Sequence, residues 1–391
     1  MKYKVNIKTL SPVHIGSGEE LQVNYRYIYF PEEKAVAVID DNKMLEVIRE
    51  ENIQHWIDTL DKEEDMLAYL NTNRQLGVTA QMIASRVLRV EGTSPFFDIQ
   101  KEKNIREQAF TGLGGAIIAG SSLKGAIRTA ILNLHIEEDK SDFYKKRRNI
   151  TNRNGKYSDE HIQSKYFGKD PNHDIFRLLR VGDIHFEEDT TECLLTKTIN
   201  LNGKEWTFKT STNTEQFIEC IPTDAIANCN ISYNKNLVKG AKHFYVSDKR
   251  DRNRGFYPLF EGKDIRQLEL PNLFENINKF TKMMLEEEFK FWENEKNYPS
   301  EVEEYLDYLD NVIYEKIEQS DEKTCVLRLG WGTGFNSITG GWQNYKMDER
   351  DLDKVIQTQR PKHPTHLLFP KTRRMTEKGM PLGFVQLTLD A

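Results

Sequence analysis

Ile118-Ala119-Gly120-Ser121-Ser122-Leu123-Lys124-Gly125-Ala126-Ile127-Arg128 passes from a short apolar run through a glycine turn into a helical pattern. Ile127, Ala130, Ile131 and Leu134 recur at i, i+3, i+4 and i+7, which predicts an amphipathic helix from Ser121 or Ser122 to about Ile136. Either serine is a natural helix cap. The unpaired N–H groups of a helix start, with their partial positive charge, suit a phosphate, and Gly120 and Gly125 let a backbone come close. Lys124 and Arg128 are four residues apart and share a face beside the buried stripe. A lysine in the first turn opposes the helix dipole, a cost that a bound anion would offset. The plainer alternative is a capped helix with a snorkelling lysine. A nucleotide-binding P-loop is excluded. Gly115 and Gly120 have its glycine spacing, but Ser121-Ser122 stand where Lys and then Ser/Thr are required.

Three other turns share this glycine chemistry. Thr9-Leu10-Ser11-Pro12-Val13-His14-Ile15-Gly16-Ser17-Gly18 follows an alternating strand. Arg328-Leu329-Gly330-Trp331-Gly332-Thr333-Gly334-Phe335 follows another, and Phe335 at the third glycine position rules out a dinucleotide motif. Trp331 and Phe335 are candidates for base stacking or for the core. The last is Pro370-Lys371-Thr372-Arg373-Arg374, leading into Met380-Pro381-Leu382-Gly383-Phe384. Paired arginines beside a strand suit phosphate contact, although solvent exposure alone would also explain them. His14 is the one weak candidate for acid catalysis, and a single histidine is a thin basis for RNA cleavage. No H-E-x-x-H, His-Asp dyad, G-x-S-x-G elbow or Cys/His cluster occurs, so no metal, cofactor or nucleophilic centre is expected. Cys193, Cys220, Cys229 and Cys325 form no Cys-x-x-Cys pair and read as buried free thiols.

The element pattern is α+β. Lys2–Leu10 alternates as a half-buried strand, and Leu21–Phe30 with Lys34–Ile39 reads as a hairpin around Pro31-Glu32-Glu33. Asp40 or Asp41 is placed to cap a helix through Met44–Ile57, with helical patterns continuing to about Val90. Residues 138–175 are a polar, basic excursion; 179–231 returns to short strands with a turn at Asn202-Gly203. Helical spacing over about 276–320 is broken at Pro299, and strands close the chain at Thr324–Leu329 and Gly383–Leu389. Strands, then helices, then strands again suggest two modules, each an antiparallel sheet backed by helices.

The 391 residues carry a net charge of -6, which at first argues against nucleic acid. Its distribution does not. Between Glu286 and Glu322 there are fourteen acidic and three basic residues, which leaves the remainder at +5. Lys140–Lys156, Lys235–Arg254 and Arg360–Lys378 are strongly basic, and such local patches bear on partners. No run approaches the ~20 apolar residues of a membrane span. The start lacks the apolar core of a signal peptide, so a cytoplasmic location is expected.

Taken in order, Ser11–Gly18, Gly120–Arg128 and the late glycine loop with Lys371-Thr372-Arg373-Arg374 and Pro381-Leu382-Gly383 resemble the RAMP superfamily of CRISPR-associated RNA-binding proteins. The nearest fit is the family of fifth subunits of type III-A (Csm) effector complexes. The ordered set spans nearly the whole chain, and its middle motif is the most specific. The resemblance implies two ferredoxin-like (RRM-like) modules with helical and loop insertions. Residues 1–180 would form the first, with a helical insertion, and 181–391 a degenerate second with the acidic insertion at about 276–320. It also implies a non-catalytic capping subunit that holds the 3′ portion of the crRNA and is implicated in its maturation and in antiviral defence against foreign RNA and DNA. Partners so implied are crRNA, with target RNA as a further candidate, a neighbouring backbone RAMP subunit and a small helical subunit. The RNA-contacting positions would be His14, Gly16, Ser17, Gly18, Gly120, Ser121, Ser122, Lys124, Gly125, Arg128, Gly330, Gly332, Gly334, Arg373 and Arg374. One departure stands out: RAMP modules elsewhere can read RNA with aromatics on the sheet, whereas the first strand here turns Lys and Asn to its open face. Loop-to-phosphate contact with weak sequence specificity is therefore expected. Two competing readings are a crRNA-processing endoribonuclease with His14 as general acid, and a scaffold whose acidic helices recruit a basic partner such as a host nuclease.

Overall fold

Val5 and Ile7 are fully buried while Lys2 and Lys4 are exposed, the alternation expected of the first strand. In the computed structural model this strand, β1 (Lys2–Thr9), is paired along both edges. The structure describes residues 2–390 except 63–65, 73–76, 92–103, 113, 142, 144–145, 155–157, 209–213, 242–244, 248–255, 259, 261, 348–349, 354 and 356–369.

In chain order, β2 (Gly16–Leu21), β3 (Tyr27–Phe30) and β4 (Ala35–Ile39) precede four helices, α1 (Asp41–Ile48), α2 (Ile53–Asp61), α3 (Met66–Thr72) and α4 (Ala80–Ile83). Then come β5 (Ala84–Glu91), β6 (Ile105–Gln108), β7 (Ile117–Ile118), α5 (Gly120–Glu138) and α6 (Glu160–Tyr166). Strands β8 (Leu179–Val181), β9 (Ile184–His185), β10 (Glu192–Asn202), β11 (Glu205–Phe208), β12 (Glu215–Cys220) and β13 (Ile226–Tyr233) follow. A separate ribbon, β14 (Tyr245–Ser247) with β15 (Phe256–Pro258), leads to α7 (Asn272–Glu293) and α8 (Ser300–Tyr308). The chain closes with β16 (Thr324–Arg328), β17 (Thr372–Thr376) and β18 (Phe384–Leu389).

Two large sheets result. The first runs β16-β18-β1-β13-β9-β7, with β8 also on β13; the second runs β2-β6-β12-β10-β5-β4-β3, with β11 and β17 also on β10. Helices α5 and α7 cover the first sheet, so Ile127 and Ile131 share one core with Val5, Ile7, Ile277 and Leu387. Helices α1–α4 cover part of the second, burying Met44, Ile48, Leu70 and Ile83 against Ile28 and Ala37. The α+β expectation holds.

Both sheets draw strands from either side of residue 180, so the expected boundary at 180/181 does not separate them. Pairing across the whole chain builds the first sheet: Val5 faces Leu389 on one side and Cys229 on the other.

Several local expectations need correction. Residues 84–91 form a strand rather than a continued helix. Their apolar spacing fits either period, and the ladder offered by β4, with Val87 opposite Ala37, settles it. The expected helix 44–57 divides at Arg49, whose φ of 65° ends α1. Asp40 does cap α1, accepting from the N–H groups of Asn42 and Lys43 at 3.0 and 3.1 Å. The break at Pro299 and the hairpin at Asn202-Gly203 are as read. The basic runs at Lys140–Lys156, Lys235–Arg254 and Arg360–Lys378 lie partly outside the described residues.

Candidate nucleic-acid interface

Three of the four glycine turns are laced into one junction. Trp331 donates its backbone N–H to the His14 carbonyl at 2.9 Å, and Gly383 donates to the Pro12 carbonyl at 2.8 Å. The buried Ser11 hydroxyl accepts from the Phe384 N–H at 2.9 Å. Two glycines make this approach possible. A Cβ on Gly330 (φ 92°) would lie 2.7 Å from the His14 carbonyl oxygen, and one on Gly383 (φ 89°) 2.2 Å from that of Leu329. Gly332 is likewise crowded, by Leu382 and Arg374. These glycines admit the protein's own chain. Gly18 and Gly334 differ: both have positive φ, both are exposed, and nothing lies within 4 Å of where a Cβ would stand. Gly16 and Ser17 are exposed too, and the Ser17 hydroxyl donates to Glu107 at 3.0 Å.

The fourth turn is tied in through Gln108. Its side-chain carbonyl oxygen accepts from the Ile15 N–H at 2.9 Å, and its side-chain amide donates to the Ile117 carbonyl at 2.8 Å, just ahead of α5. The helix begins at Gly120, one residue before the expected serines, and neither serine caps it. The Asp183 carboxylate accepts from the Gly120 N–H at 2.7 Å, so a side chain of this protein already serves one donor of the expected phosphate site. Gly120 is a packing glycine, since a Cβ there would lie 2.4 Å from the Val181 carbonyl oxygen. Ser121 and Gly125 remain exposed, and Ser122 is half-buried. Lys124 donates to the Leu179 carbonyl at 2.8 Å, and burial lowers its pKa. Arg128 pairs with Asp174 at 2.8 Å, donates to Gln163 at 3.0 Å and lies over the Phe167 ring.

Arg373 and Arg374 are neighbours on β17 and point to opposite faces, as strand alternation demands. Arg373 is only 7% exposed. Its Nε donates to Glu288 of α7 at 2.6 Å, and the same carboxylate accepts from Trp292 and Tyr305. Its expected surface contact gives way to a buried ion pair. Arg374 donates to the Thr196 hydroxyl at 2.9 Å and lies 4.6 Å from the centre of the Trp331 ring. Arg106 of β6 lies 5.1 Å from the same ring. Burial, with Arg106 nearby, lowers the Arg374 pKa to about 10.

His14 is 2% exposed and meets Trp331 edge to face. Its Nδ1 lies 2.7 Å from the Glu219 carbonyl, which can only accept, so Nδ1 carries the proton. Burial, aided by Arg106, lowers its pKa to about 4, and the imidazole is neutral at pH 7. The buried Glu219 carboxylate is gripped by Arg86 at 2.7 and 2.9 Å.

A model of the RAMP superfamily matches residues 6–337. The chain belongs to the RAMP superfamily. It is 26% identical to the CRISPR system Cms protein Csm5 of Methanocaldococcus jannaschii, over 99% of this chain and 88% of the relative. It shares its fold with a chain in a cryo-EM structure of a Csm-crRNA-target RNA ternary complex of a type III-A CRISPR-Cas system. That match has a TM-score of 0.70 at 22% identity over the whole of both chains. It also shares it with T. onnurineus Csm5, at a TM-score of 0.64 and 20% identity, covering 97% of this chain and 99% of the other.

In this RAMP chain the turns at Ser11–Gly18, Gly330–Gly334 and Pro381–Gly383 meet at one largely buried junction, at which Gly16–Gly18, Gly330 and Gly334 are exposed, while Arg373 lies in the core. Arg106 was not singled out from sequence. The alternation of Asn104-Ile105-Arg106-Glu107-Gln108 marks a strand, but only the pairing of β6 between β2 and β12 brings Arg106 to Trp331. All four cysteines are buried and free. Among the described residues, no group of three or more His, Cys, Asp or Glu is placed to hold a metal ion, and no helix is long and apolar enough to cross a membrane.

Proposed function

We propose that this chain is a non-catalytic, RNA-binding capping subunit of a type III-A CRISPR (Csm) effector complex. It holds the 3′ portion of the crRNA, contributes to its maturation, and sits beside a backbone RAMP subunit and a small helical subunit. The observation that carries this reading is the lacing of three distant glycine turns into one junction of a RAMP chain. There, Gly16, Ser17, Gly18 and Gly334 remain exposed, and Arg374 lies against Gly332 and Trp331. Backbone and cationic groups of this kind recognise phosphates without reading bases. Within the expected contact set, Gly16, Ser17, Gly18, Ser121, Gly125, Gly334 and Arg374 face RNA; His14, Gly330, Gly332 and Gly120 shape the turns, and Arg373 supports them from the core.

Co-expression with the sister subunits, purification of the complex and sequencing of the bound RNA test the reading. crRNA ending at its 3′ portion against this subunit is the expected result. Complexes that load crRNA with unchanged 3′ ends when this chain is omitted would refute it.

The endoribonuclease reading needs a protonated imidazole, and His14 is neutral and enclosed. Repeat-containing RNA incubated with wild type and with His14→Ala is expected to stay intact in both; cleavage by wild type alone would restore that reading.

A further inference from the structure

One face of the second sheet is covered at one end by α1–α4, over Ala37 and Val87, and at the other by Leu382 and Trp331, over Leu194 and Ile218. Between the two covers, over β5 and β10, lies a cavity of about 430 Å³. Arg89, Glu192 and Leu194 come to it from the sheet, and the chain at 189–191, 222–223 and 376–380 supplies the other walls, with Pro12. We propose that this cavity receives one unstacked nucleobase of a bound single-stranded RNA, with cytosine or adenine preferred to uracil. This rests on the RNA-binding reading above and adds one base-reading position to contacts that otherwise follow the backbone.

Size, walls, charge and place support this occupant. The volume lies in the range of small-molecule sites. Pro12 and Pro222 are rigid rings, Leu194 is held on the sheet, and Met380 offers a polarisable thioether, a favourable neighbour for an aromatic ring. These walls are set before binding. The Thr223 hydroxyl donates to the Met380 sulphur at 3.6 Å, the Met380 N–H donates to the Thr376 hydroxyl at 3.0 Å, and the Glu377 N–H donates to the Leu195 carbonyl at 3.2 Å. Little ordering of the protein therefore accompanies capture. Charge argues against a phosphate inside. Arg89 and Lys378 line the cavity against Asp189, Glu192 and Glu377, so its balance is negative. A neutral ring with donors to offer suits such a lining, because ionised carboxylates only accept. Cytosine and adenine present an exocyclic amino group, a match for Asp or Glu, where uracil presents a carbonyl. The place suits a strand of RNA. Pro12 belongs to the Ser11–Gly18 turn and its carbonyl accepts from Gly383, while Leu194 shares a small core with Leu382 and Trp331. The cavity thus adjoins the junction at which Gly16–Gly18 and Gly334 are exposed, and Arg89, Asp189 and Lys378 are exposed where it meets solvent. A backbone held at those turns can splay one base into it.

The test uses the full-length protein and short single-stranded RNAs that carry 2-aminopurine, a fluorescent adenine analogue, at one position in turn. Binding is expected to change the fluorescence strongly at one position. There, RNA with cytosine or adenine should bind about tenfold more tightly than RNA with uracil. Thr223→Trp puts an indole into the cavity. With a wild-type thermal melt, it should erase the local signal and the base preference and keep the affinity for the uracil RNA. If Thr223→Trp melts early, Lys378→Trp, at an exposed position of the mouth, decides with the same readouts. RNA binding with no responsive position, or a signal and preference that survive substitution, overturns the proposal. Loss of sister-subunit co-purification in these variants, with RNA binding and base preference intact, would make the cavity a protein-docking site and overturn it. Cytidine that binds wild type but not Thr223→Trp, while the RNA is indifferent to that substitution, would make it a free-nucleoside site and overturn it too. Failure of wild type itself to bind RNA at low salt would instead overturn the RNA-binding reading.

Discussion

Trp331 donates its backbone N–H to the carbonyl oxygen of His14 at 2.9 Å, joining two turns that lie at opposite ends of the sequence. A side chain at residue 330 would forbid that bond, and the bond fixes the ring on which Arg106 and Arg374 converge. Consequences for stability and binding follow from how tightly this junction is built.

Glycines here divide by what surrounds them. Gly383→Ala places a methyl 2.2 Å from the Leu329 carbonyl at a φ of 89° and is expected to cost upwards of about 2 kcal/mol. Gly125→Ala, on the exposed face of α5 with open space around it, should stabilise by about 0.5–1 kcal/mol. Urea denaturation of the two variants checks the opposite signs.

Breaking the pair between Arg373 and Glu288 should be severe. Arg373→Met strands a buried carboxylate and is expected to lose about 3–5 kcal/mol. Replacing both residues by Met should lose markedly less, because no uncompensated charge is left in the core. A double-mutant cycle by chemical denaturation measures the difference.

Acid should weaken the fold through His14. Its folded pKa of about 4 lies below the ordinary 6.5, so on acidification the unfolded chain takes up the proton first. Stability from this group is complete above about pH 6.5 and is withdrawn as pH falls to 4, by up to about 3 kcal/mol. His14→Asn keeps a donor for the Glu219 carbonyl and removes the titration. Between pH 7 and 5 its stability should fall less steeply than that of wild type.

Charge at the start of α5 separates folding from RNA binding. Ser121 is exposed in the first turn, where an acidic side chain suits the helix dipole. Ser121→Glu should therefore leave stability within about 0.5 kcal/mol of wild type. It should weaken RNA retention in the purified complex by like-charge repulsion. Retention equal to wild type would remove this turn from the RNA surface.

What could be read from the chain was local. The alternation of Tyr3, Val5 and Ile7, the stripe of Ile127 and Ile131, the Asp40 cap and the break at Pro299 each depend on residues within a few positions of one another. The glycine turns were legible for the same reason, and their order sufficed for the family. Partners were not legible. Whether residues 84–91 became helix or strand rested on the free edge of β4. Which glycines face open space and which admit the protein's own backbone rested on what lay opposite, as Gly334 and Gly330 show. Arg373 and Arg374 are identical in sequence terms, yet one meets Glu288 in the core and the other Trp331 at the half-buried turn junction. Arg106 joins that junction only because β6 pairs between β2 and β12. Side-chain environment is a property of packing between distant segments, and no window of neighbouring residues contains it.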